Sequence, residues 1–191
     1  QRVTSEVDPE NPQDWYARRR STLAGALALT APGIPMLFQG QEFLEDGWFE
    51  DTVPLDWELS EDFRGIVRLY RDLIRLRRNL DGVSAGLSGQ GIQLIRNDEG
   101  KNVLACTRYG EPFHEVMVIA HFSAQEMETF RLGLPGPGTW KIRLNTASSV
   151  YSPDYSEPKG GEVEAEEMAW DEQQCSAEFK LAPYSLMILS R

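Results

Sequence analysis

The sequence GIPMLFQGQEF, from Gly33 to Phe43, joins a short apolar run to a turn that carries an amide and a carboxylate. Apolar and polar residues do not alternate between Ile34 and Phe38. This pattern is typical of a strand that is buried on both faces, as in a parallel sheet covered by helices. We therefore predict a central strand over Ile34 to Phe38, with polar groups at its carboxyl end.

Two predicted helices flank this strand. Asn11 and Pro12 have the form of an N-cap followed by proline at the first helical position, which predicts a helix from Asn11 to Ala31. Within it, the basic residues Arg18 to Arg20 are expected on the solvent face. Ser60 is a second N-cap, for a helix that runs to about Leu80. A doubly buried strand needs neighbouring strands, so this helix–strand–helix unit is expected to be the end of a larger α/β structure.

Beyond Asp81 and Gly82 the apolar period changes from helical to strand-like. Apolar residues alternate strictly in FRLGL and WKIRL, and short runs of this kind are separated by Gly and Pro turns. The predicted strands are Ile92 to Arg96, Val103 to Tyr109, Val116 to Phe122, Thr129 to Leu134, Trp140 to Leu144, Ala177 to Leu181 and Tyr184 to Leu189. This pattern is typical of an antiparallel β-sandwich. We predict an α+β composite with domains at 1–82 and 83–191, and a connecting loop over Ser152 to Gly161.

The composition excludes several classes of function. Nineteen basic and thirty acidic side chains give a formal net charge of −11, which argues against binding to nucleic acid or to a membrane surface. No apolar run approaches the roughly 20 residues that span a bilayer. The two cysteines, Cys106 and Cys175, have no zinc-site spacing and are expected to be reduced thiols of a cytoplasmic protein. His114 and His121 are expected on the surface or in strands, so no metal site and no cofactor are predicted.

Four segments carry a resemblance to a known family. The segments are RRRSTLAGALALTAPGIPMLFQGQEFLEDGWF, PLDW, LYRDLIRLRRN and LAPYSLMILS. Together they resemble the C-terminal portion of the α-amylase superfamily of glycoside hydrolases, and within it the bacterial 1,4-α-glucan branching enzymes. The family fold is a (β/α)8 barrel followed by an antiparallel β-sandwich. On this template residues 1–82 are helix 7, strand 8 and helix 8, and residues 83–191 are the sandwich.

The resemblance also indicates where substrate is bound. Active sites of such barrels lie at the carboxyl ends of the strands, which implies five substrate-binding residues in this chain. They are Gln41, Glu42, Phe43, Trp48 and Trp57. Glu42 either makes a structural hydrogen bond or contacts substrate, and the aromatic rings either stack on sugars or anchor the loop from Leu44 to Trp57 against helix 8. Calcium in this acidic loop is disfavoured because regular ligand spacing is missing.

None of the family's catalytic positions is found in the chain. The resemblance assigns catalysis to an Asp, a Glu and a second Asp on earlier strands, so we predict no catalytic residue here and no activity for the chain alone. A pair formed by Glu42 with Glu45 or Asp46 is disfavoured, because all three lie in one solvated loop whereas retaining glycosidases hold two carboxyl groups rigidly about 5 Å apart.

The leading hypothesis is the C-terminal segment of a branching enzyme of glycogen or starch metabolism. Such an enzyme forms a covalent glycosyl-enzyme and transfers the glycosyl chain to a 6-hydroxyl, so the implied partners are an α-glucan and the missing barrel portion of the same polypeptide. The alternatives are a hydrolase of α-glucans, a non-catalytic carbohydrate-binding or interaction β-sandwich, and a short protein that pairs with a separate barrel subunit. Trp140 and Phe179 disfavour the binding module, since they occupy alternating positions that we expect to be buried.

Overall fold

The computed structural model describes residues 1–110 and 114–191. Its α-helices are α1 (Val3–Val7), α2 (Trp15–Thr30), α3 (Glu58–Asp62) and α4 (Arg64–Arg77). Its strands are β1 (Gly91–Asp98), β2 (Val103–Tyr109), β3 (Val116–His121), β4 (Met127–Leu134), β5 (Gly138–Asn145), β6 (Gly161–Ala165), β7 (Cys175–Leu181) and β8 (Ser185–Ser190). Single 3-10 turns cover Gln41–Phe43 and Ala85–Ser88.

The strands form two antiparallel sheets, which confirms the predicted β-sandwich. One sheet has six strands in the order β1-β2-β3-β8-β5-β6, and the other pairs β4 with β7. All seven predicted strands are present, with ends displaced by no more than two residues. Strand β6 was missed because three of the five residues of its sequence, GEVEA, are glutamate or glycine, and because it begins at the end of the loop predicted over Ser152 to Gly161.

The interior of the sandwich follows the alternation in the sequence. Phe130, Leu132 and Leu134 on β4 are buried, as are Phe179 on β7 and Trp140 on β5. The Trp140 indole Nε1–H donates to the Gly136 carbonyl at 3.0 Å, which satisfies the one polar atom of this fully buried ring.

A second core lies on the other face of the six-stranded sheet. Helix α2 packs there against strands β3 and β8, and α4 packs against α2 in the same core. Every residue of β3 and β8 is buried. This explains why VMVIAH and SLMILS do not alternate: both faces of these strands are covered. The helical part and the sandwich therefore share one core.

Arg108 on β2 joins the two parts by hydrogen bonds. Its fully buried guanidinium donates to the carbonyls of Thr30, at the end of α2, of Gly91 (3.0 Å) and of Gly89 (2.6 Å). Burial lowers the pKa of Arg108 from its ordinary value. The three carbonyls compensate for the water that the cation loses on burial.

The predicted limits of both helices need correction. Helix α2 begins at Trp15 and not at Asn11, because Asp14 is the N-cap and accepts a hydrogen bond from the Ala17 N–H at 2.6 Å. Asn11 lies in a turn, where its N–H donates to the Asp8 carboxylate.

The predicted helix from Ser60 to Leu80 is interrupted near its start. Ser60 lies inside α3, and Phe63, at φ −106° and ψ 32°, separates α3 from α4. Helix α4 ends in a Schellman motif: Asn79 has a left-handed backbone, and the Leu80 N–H donates to the Arg75 carbonyl at 3.0 Å.

The predicted solvent position of Arg18 to Arg20 is wrong for two of the three arginines. Arg18 pairs with Asp154, and Arg19 is buried between the rings of Trp15 and Tyr155, with its guanidinium donating to the Pro183 carbonyl. The segment around 152–155 covers this side of α2, so these arginines lie in an interface. Burial lowers the pKa of Arg19 and raises that of Tyr155 to about 12.

The predicted strand from Ile34 to Phe38 is also wrong for this chain. The segment is extended but makes no strand ladder in the part of the chain that the structure describes. Ile34 is 99% exposed and Met36 is 81% exposed, whereas Leu37 contacts the core formed with the helices. A strand needs a neighbouring strand that pairs with its N–H and C=O groups, and within residues 1–110 and 114–191 no strand pairs with this segment.

Cys106 and Cys175 are free thiols, as predicted, and within the described ranges no helix has the length and apolar character needed to cross a membrane. His114 is exposed, whereas His121 on β3 is buried. The Nδ1 of His121 lies 2.9 Å from the Ala182 carbonyl oxygen, and Nε2 has no hydrogen-bond partner among residues 1–110 and 114–191. The neutral ring fits this environment, because a second N–H would lack an acceptor.

We expect His121 to make stability depend on pH. Burial lowers the pKa of His121 below its ordinary value of 6.5, so the unfolded chain binds the proton more readily than the folded chain. The free energy of unfolding should therefore fall as the pH decreases from 6.5 towards 5. Urea denaturation at several pH values measures this slope, and His121→Asn should flatten it. His114→Asn is the matched control; a slope unchanged in His121→Asn would contradict the assignment.

Candidate functional site

A tight turn connects the extended segment to the loop that carries the predicted site. Gly40 has φ +83°, and a Cβ on it would lie 2.6 Å from the Glu45 Cβ, so glycine is required there. Gln41–Phe43 form the 3-10 turn, and Leu44 follows with a left-handed backbone at φ 63°. The chain reverses within these residues and places them against α4.

The N-terminal segment braces this turn. The Arg2 guanidinium donates to the Gln39 carbonyl and lies over the Phe38 ring, 5.2 Å from its centroid. Helix α1 adds Thr4, whose hydroxyl donates to the Glu45 carbonyl at 3.2 Å, and Ser5, whose hydroxyl accepts from the Gly47 N–H at 2.7 Å. Sequence patterns gave no signal for this role of Arg2, since only long-range contacts reveal it.

Gln41 is turned inwards. Its Oε1 accepts a hydrogen bond from the Phe38 N–H at 3.3 Å. Its side chain lies near the buried Tyr70 of α4, whose hydroxyl makes no hydrogen bond within the described residues. Burial raises the pKa of the Tyr70 hydroxyl, and the interaction with Gln41 opposes this rise. Gln41 therefore fastens the turn to the backbone of Phe38, an arrangement that the sequence did not separate from substrate contact.

The rings of Phe43 and Trp57 pack against each other at a tilt. Phe43 is only 2% exposed, and its ring centroid lies 5.3 Å from that of Trp57. Trp57 itself is 64% exposed. Phe43 thus supports one side of Trp57 and has no free surface of its own for a ligand.

Trp48 is the most exposed aromatic residue of the loop, with 73% of its surface in solvent. Beside it, Phe49 contacts Phe38 edge to face, at 5.5 Å between centroids. Phe49 and one face of Trp57 contact other rings, so these two residues can anchor the loop. An anchoring role does not account for the exposure of Trp48. An indole exposed in this way offers an apolar face to which a sugar ring can bind.

Two carboxylates of the loop accept hydrogen bonds from different residues. Glu45 accepts a hydrogen bond from the Asp56 N–H at 3.0 Å, and Asp46 accepts one from the Gln13 amide at 3.4 Å. The half-buried Glu42 makes no hydrogen bond to residues 1–110 or 114–191. Over the same ranges no three metal-ligating side chains come together. Of the five predicted site residues, Trp48 and Trp57 have exposed rings, and the Glu42 carboxylate is not engaged by another described residue.

Comparison with protein families identifies the β-rich part of the chain. The family described as "Alpha amylase, C-terminal all-beta domain" matches residues 94–191. Among curated proteins, the "1,4-alpha-glucan branching enzyme GlgB" of Paramagnetospirillum magneticum is 33% identical over 96% of this chain. The protein of the same name from Mycolicibacterium paratuberculosis is 35% identical over 95% of the chain. The chain spans about a quarter of the length of each, 25% in both cases.

Solved structures share the fold. A pullulanase from Anoxybacillus sp. LM18-11, crystallised with maltotetraose, superimposes with a TM-score of 0.64 over 99% of this chain and 26% of its own, at 17% identity. A debranching enzyme from Nostoc punctiforme gives a TM-score of 0.56 over 90% of this chain and 30% of its own, at 19% identity. Both comparisons extend beyond the sandwich into the helical part.

Proposed function

Because the chain belongs to the family of α-amylase C-terminal all-β domains, we propose that it is the C-terminal segment of a 1,4-α-glucan branching enzyme. In this proposal residues 1–82 are the last helix, strand and helix of a catalytic (β/α)8 barrel, and residues 83–191 are the sandwich that follows it. The similarity to branching enzymes supports this assignment, since it extends over 96% of the chain and so includes the helical part.

The barrel assignment rests on one observation: the segment from Ile34 to Phe38 is extended but pairs with no strand within the described residues. It is extended, rich in apolar residues, and exposed at Ile34 and Met36. Apolar side chains that project into water on one side of an extended backbone are expected where neighbouring strands belong to a part of the protein outside this chain. Strands on either side would give this segment both its hydrogen-bond partners and its burial.

The proposed chemistry of the parent enzyme is glycosyl transfer. An α-1,4 bond of a glycogen-like or starch-like glucan is cleaved through a covalent glycosyl-enzyme, and the chain passes to a 6-hydroxyl. In this proposal the catalytic groups lie outside residues 1–191. We also propose that the parent enzyme is cytoplasmic. Here the chain supplies binding: Trp48 and Trp57 stack on sugar rings, Glu42 accepts from a hydroxyl, and Gln41 and Phe43 hold them in place.

Two observations favour this proposal over an independent carbohydrate-binding sandwich. Trp140 and Phe179 are buried inside the sandwich, so they offer no ring to a ligand. The helices share a core with strands β3 and β8, so the sandwich is not a separate module. The α-glucan hydrolase remains the second candidate, and the choice of acceptor, water or a 6-hydroxyl, separates it from branching.

We expect the purified 191-residue chain to leave amylose unchanged. Its described carboxylates include no pair held in a rigid frame at the proposed site, whereas a retaining mechanism requires one. Iodine staining and reducing-end assays of amylose check this. The polypeptide extended upstream along its coding DNA is the positive control, and it should form α-1,6 branches. Turnover by the short chain, or a start codon immediately upstream of Gln1, would contradict the proposal.

In the extended enzyme, Trp57→Ala should lower kcat/KM for amylose about tenfold, mainly through KM. Loss of one aromatic–sugar contact costs about 1 to 1.5 kcal/mol, and each 1.4 kcal/mol is a factor of ten. Trp48→Ala should act in the same direction. The control is Trp170→Ala, because Trp170 is an exposed indole outside this loop. Equal values of kcat/KM for Trp57→Ala and Trp170→Ala would show that Trp57 does not contact the substrate.

A further inference from the structure

Three aromatic side chains meet where helix α2 begins and where the chain passes from β7 to β8. Trp15 and Tyr16 lie in the first turn of α2, and Tyr184 lies between the two strands. The ring centroids are 5.0 Å apart for Trp15 and Tyr16, 6.4 Å for Trp15 and Tyr184, and 6.1 Å for Tyr16 and Tyr184. The Arg20 guanidinium lies over the Tyr184 ring, 5.8 Å from its centroid. We call these four residues the aromatic platform.

Packing in the core accounts for only part of the aromatic platform. Trp15 and Tyr184 are half-buried and contact the core that the helices share with β3 and β8. Tyr16 does not belong to that core and is 49% exposed, and Arg20 is exposed beside it. Exposed tyrosine and arginine side chains that lie together are more typical of binding surfaces than of other parts of a protein surface.

The polar ends of the aromatic platform are free to bind a ligand. Within residues 1–110 and 114–191, the hydroxyls of Tyr16 and Tyr184 and the guanidinium of Arg20 make no hydrogen bond. A tyrosine hydroxyl both donates and accepts, and a guanidinium donates through five N–H groups. The platform therefore offers apolar ring surface next to hydrogen-bonding groups. A sugar ring, with an apolar face and a rim of hydroxyls, is complementary to such a surface.

The backbone of Tyr184 is held in an unfavourable conformation. Its φ is 43°, in the left-handed region that residues other than glycine avoid. The Tyr184 N–H donates to the Ser123 carbonyl at 3.0 Å, and the Arg19 guanidinium donates to the carbonyl of the preceding residue, Pro183. These two contacts fix the ring of Tyr184 at the surface. Backbone strain that is maintained by surrounding contacts is found most often at functional sites.

The aromatic platform lies at the same end of the molecule as the candidate site. The amide of Gln13 donates to the Asp46 carboxylate at 3.4 Å. Gln13 precedes Trp15 by two residues, and Asp46 precedes the exposed Trp48 by two residues. Two residues span at most about 7 Å, so Trp15 and Trp48 lie close to the two ends of this hydrogen bond. One chain of several sugar units can therefore contact both places.

We propose that the aromatic platform binds an α-glucan chain that extends from the candidate site to the sandwich. The inference rests on the proposed function, because that function makes an α-glucan the ligand. A neutral ligand suits a chain with a net charge of −11, which repels anions. Only glucan chains that are long enough to reach the platform from Trp48 and Trp57 gain these contacts. The platform thus gives the enzyme a preference for long chains.

Retardation of the 191-residue chain in native gels that contain glycogen tests the platform directly. Tyr16→Ala removes an exposed ring, so it should weaken the apparent affinity about fivefold and leave the melting temperature nearly unchanged. Trp170→Ala is the matched control, because Trp170 is 43% exposed and lies between β6 and β7. Equal retardation of Tyr16→Ala and the unaltered chain would overturn the inference.

The extended enzyme shows whether the platform acts on long chains. Tyr16→Ala should raise KM about fivefold for amylose of long average chain length and leave KM for short amylose unchanged, whereas Trp57→Ala should raise both. An equal change for the two lengths would contradict the inference. If the preceding polypeptide covers these rings, Tyr16→Ala will lower the melting temperature of the extended enzyme without a change in KM, and this result would also overturn it.

The same measurements separate this inference from the proposed function. An extended polypeptide that branches amylose, with the same KM for Tyr16→Ala as for the unaltered enzyme, defeats the platform and leaves the function standing. Retardation by glycogen that Tyr16→Ala weakens, in a protein whose extended form neither branches nor hydrolyses amylose, supports the platform and defeats the function.

Discussion

Replacing Arg108 with alanine should lower the free energy of unfolding by about 3 to 5 kcal/mol, enough to unfold much of the chain at 37 °C. The fully buried guanidinium donates to the carbonyls of Thr30, Gly89 and Gly91. Without it, these acceptors lose partners in a region from which water is largely excluded, and the removed side chain leaves a void. Urea denaturation followed by circular dichroism measures the loss.

Two further variants test this explanation. Arg108→Lys keeps the charge, but one ammonium group cannot reproduce the planar fork that reaches three carbonyls, so we expect an intermediate loss. This variant remains measurable if Arg108→Ala does not fold. Arg20→Ala removes an exposed arginine of α2 and should change stability by no more than about 0.5 kcal/mol. A loss in Arg108→Ala as small as that in Arg20→Ala would show that the three hydrogen bonds contribute little.

Replacing Trp140 with alanine should cost about 3 to 5 kcal/mol, through a cavity in the sandwich and the unpaired Gly136 carbonyl. Trp140→Phe keeps most of the ring volume and loses the hydrogen bond, so a smaller cost of about 1 to 2 kcal/mol is expected. Trp170→Ala is the control, because that indole is partly in solvent. The measurement is again urea denaturation by circular dichroism, and similar losses for Trp140→Ala and Trp170→Ala would contradict the buried position.

The sequence predicted the sandwich well because its strands alternate. Phe130, Leu132 and Leu134 are buried in the order that a period of two requires, and the strand limits agree within two residues. The predicted helix limits were less accurate, because Asn11 and Pro12 have the sequence pattern of an N-cap whereas the N-cap of α2 is Asp14. The interior positions of Arg18 and Arg19 could not be predicted, because their partners, Asp154 and Pro183, lie more than 130 residues away in sequence.

For the candidate site, the sequence could not predict how each side chain packs. The resemblance placed five residues at one end of the extended segment, and the structure shows that they lie on one turn and loop. Sequence alone could not show that Phe43 is buried under Trp57 or that Gln41 faces Tyr70, because both depend on the packing of the turn against α4. Substrate contact by Glu42, Trp48 and Trp57 stays a prediction, whereas the buried Phe43 has no surface for it.

The complete burial of β3 and β8 has a consequence for how the chain unfolds. These strands belong to two cores at once, so loss of the helices would uncover one face of β3 and of β8. Residues 1–82 and 83–191 are therefore expected to melt in a single cooperative transition, as one folding unit rather than two. The boundary that the sequence pattern indicates marks a change from helices to strands and not the limit of a folding unit. Separating the two parts there should destabilise both.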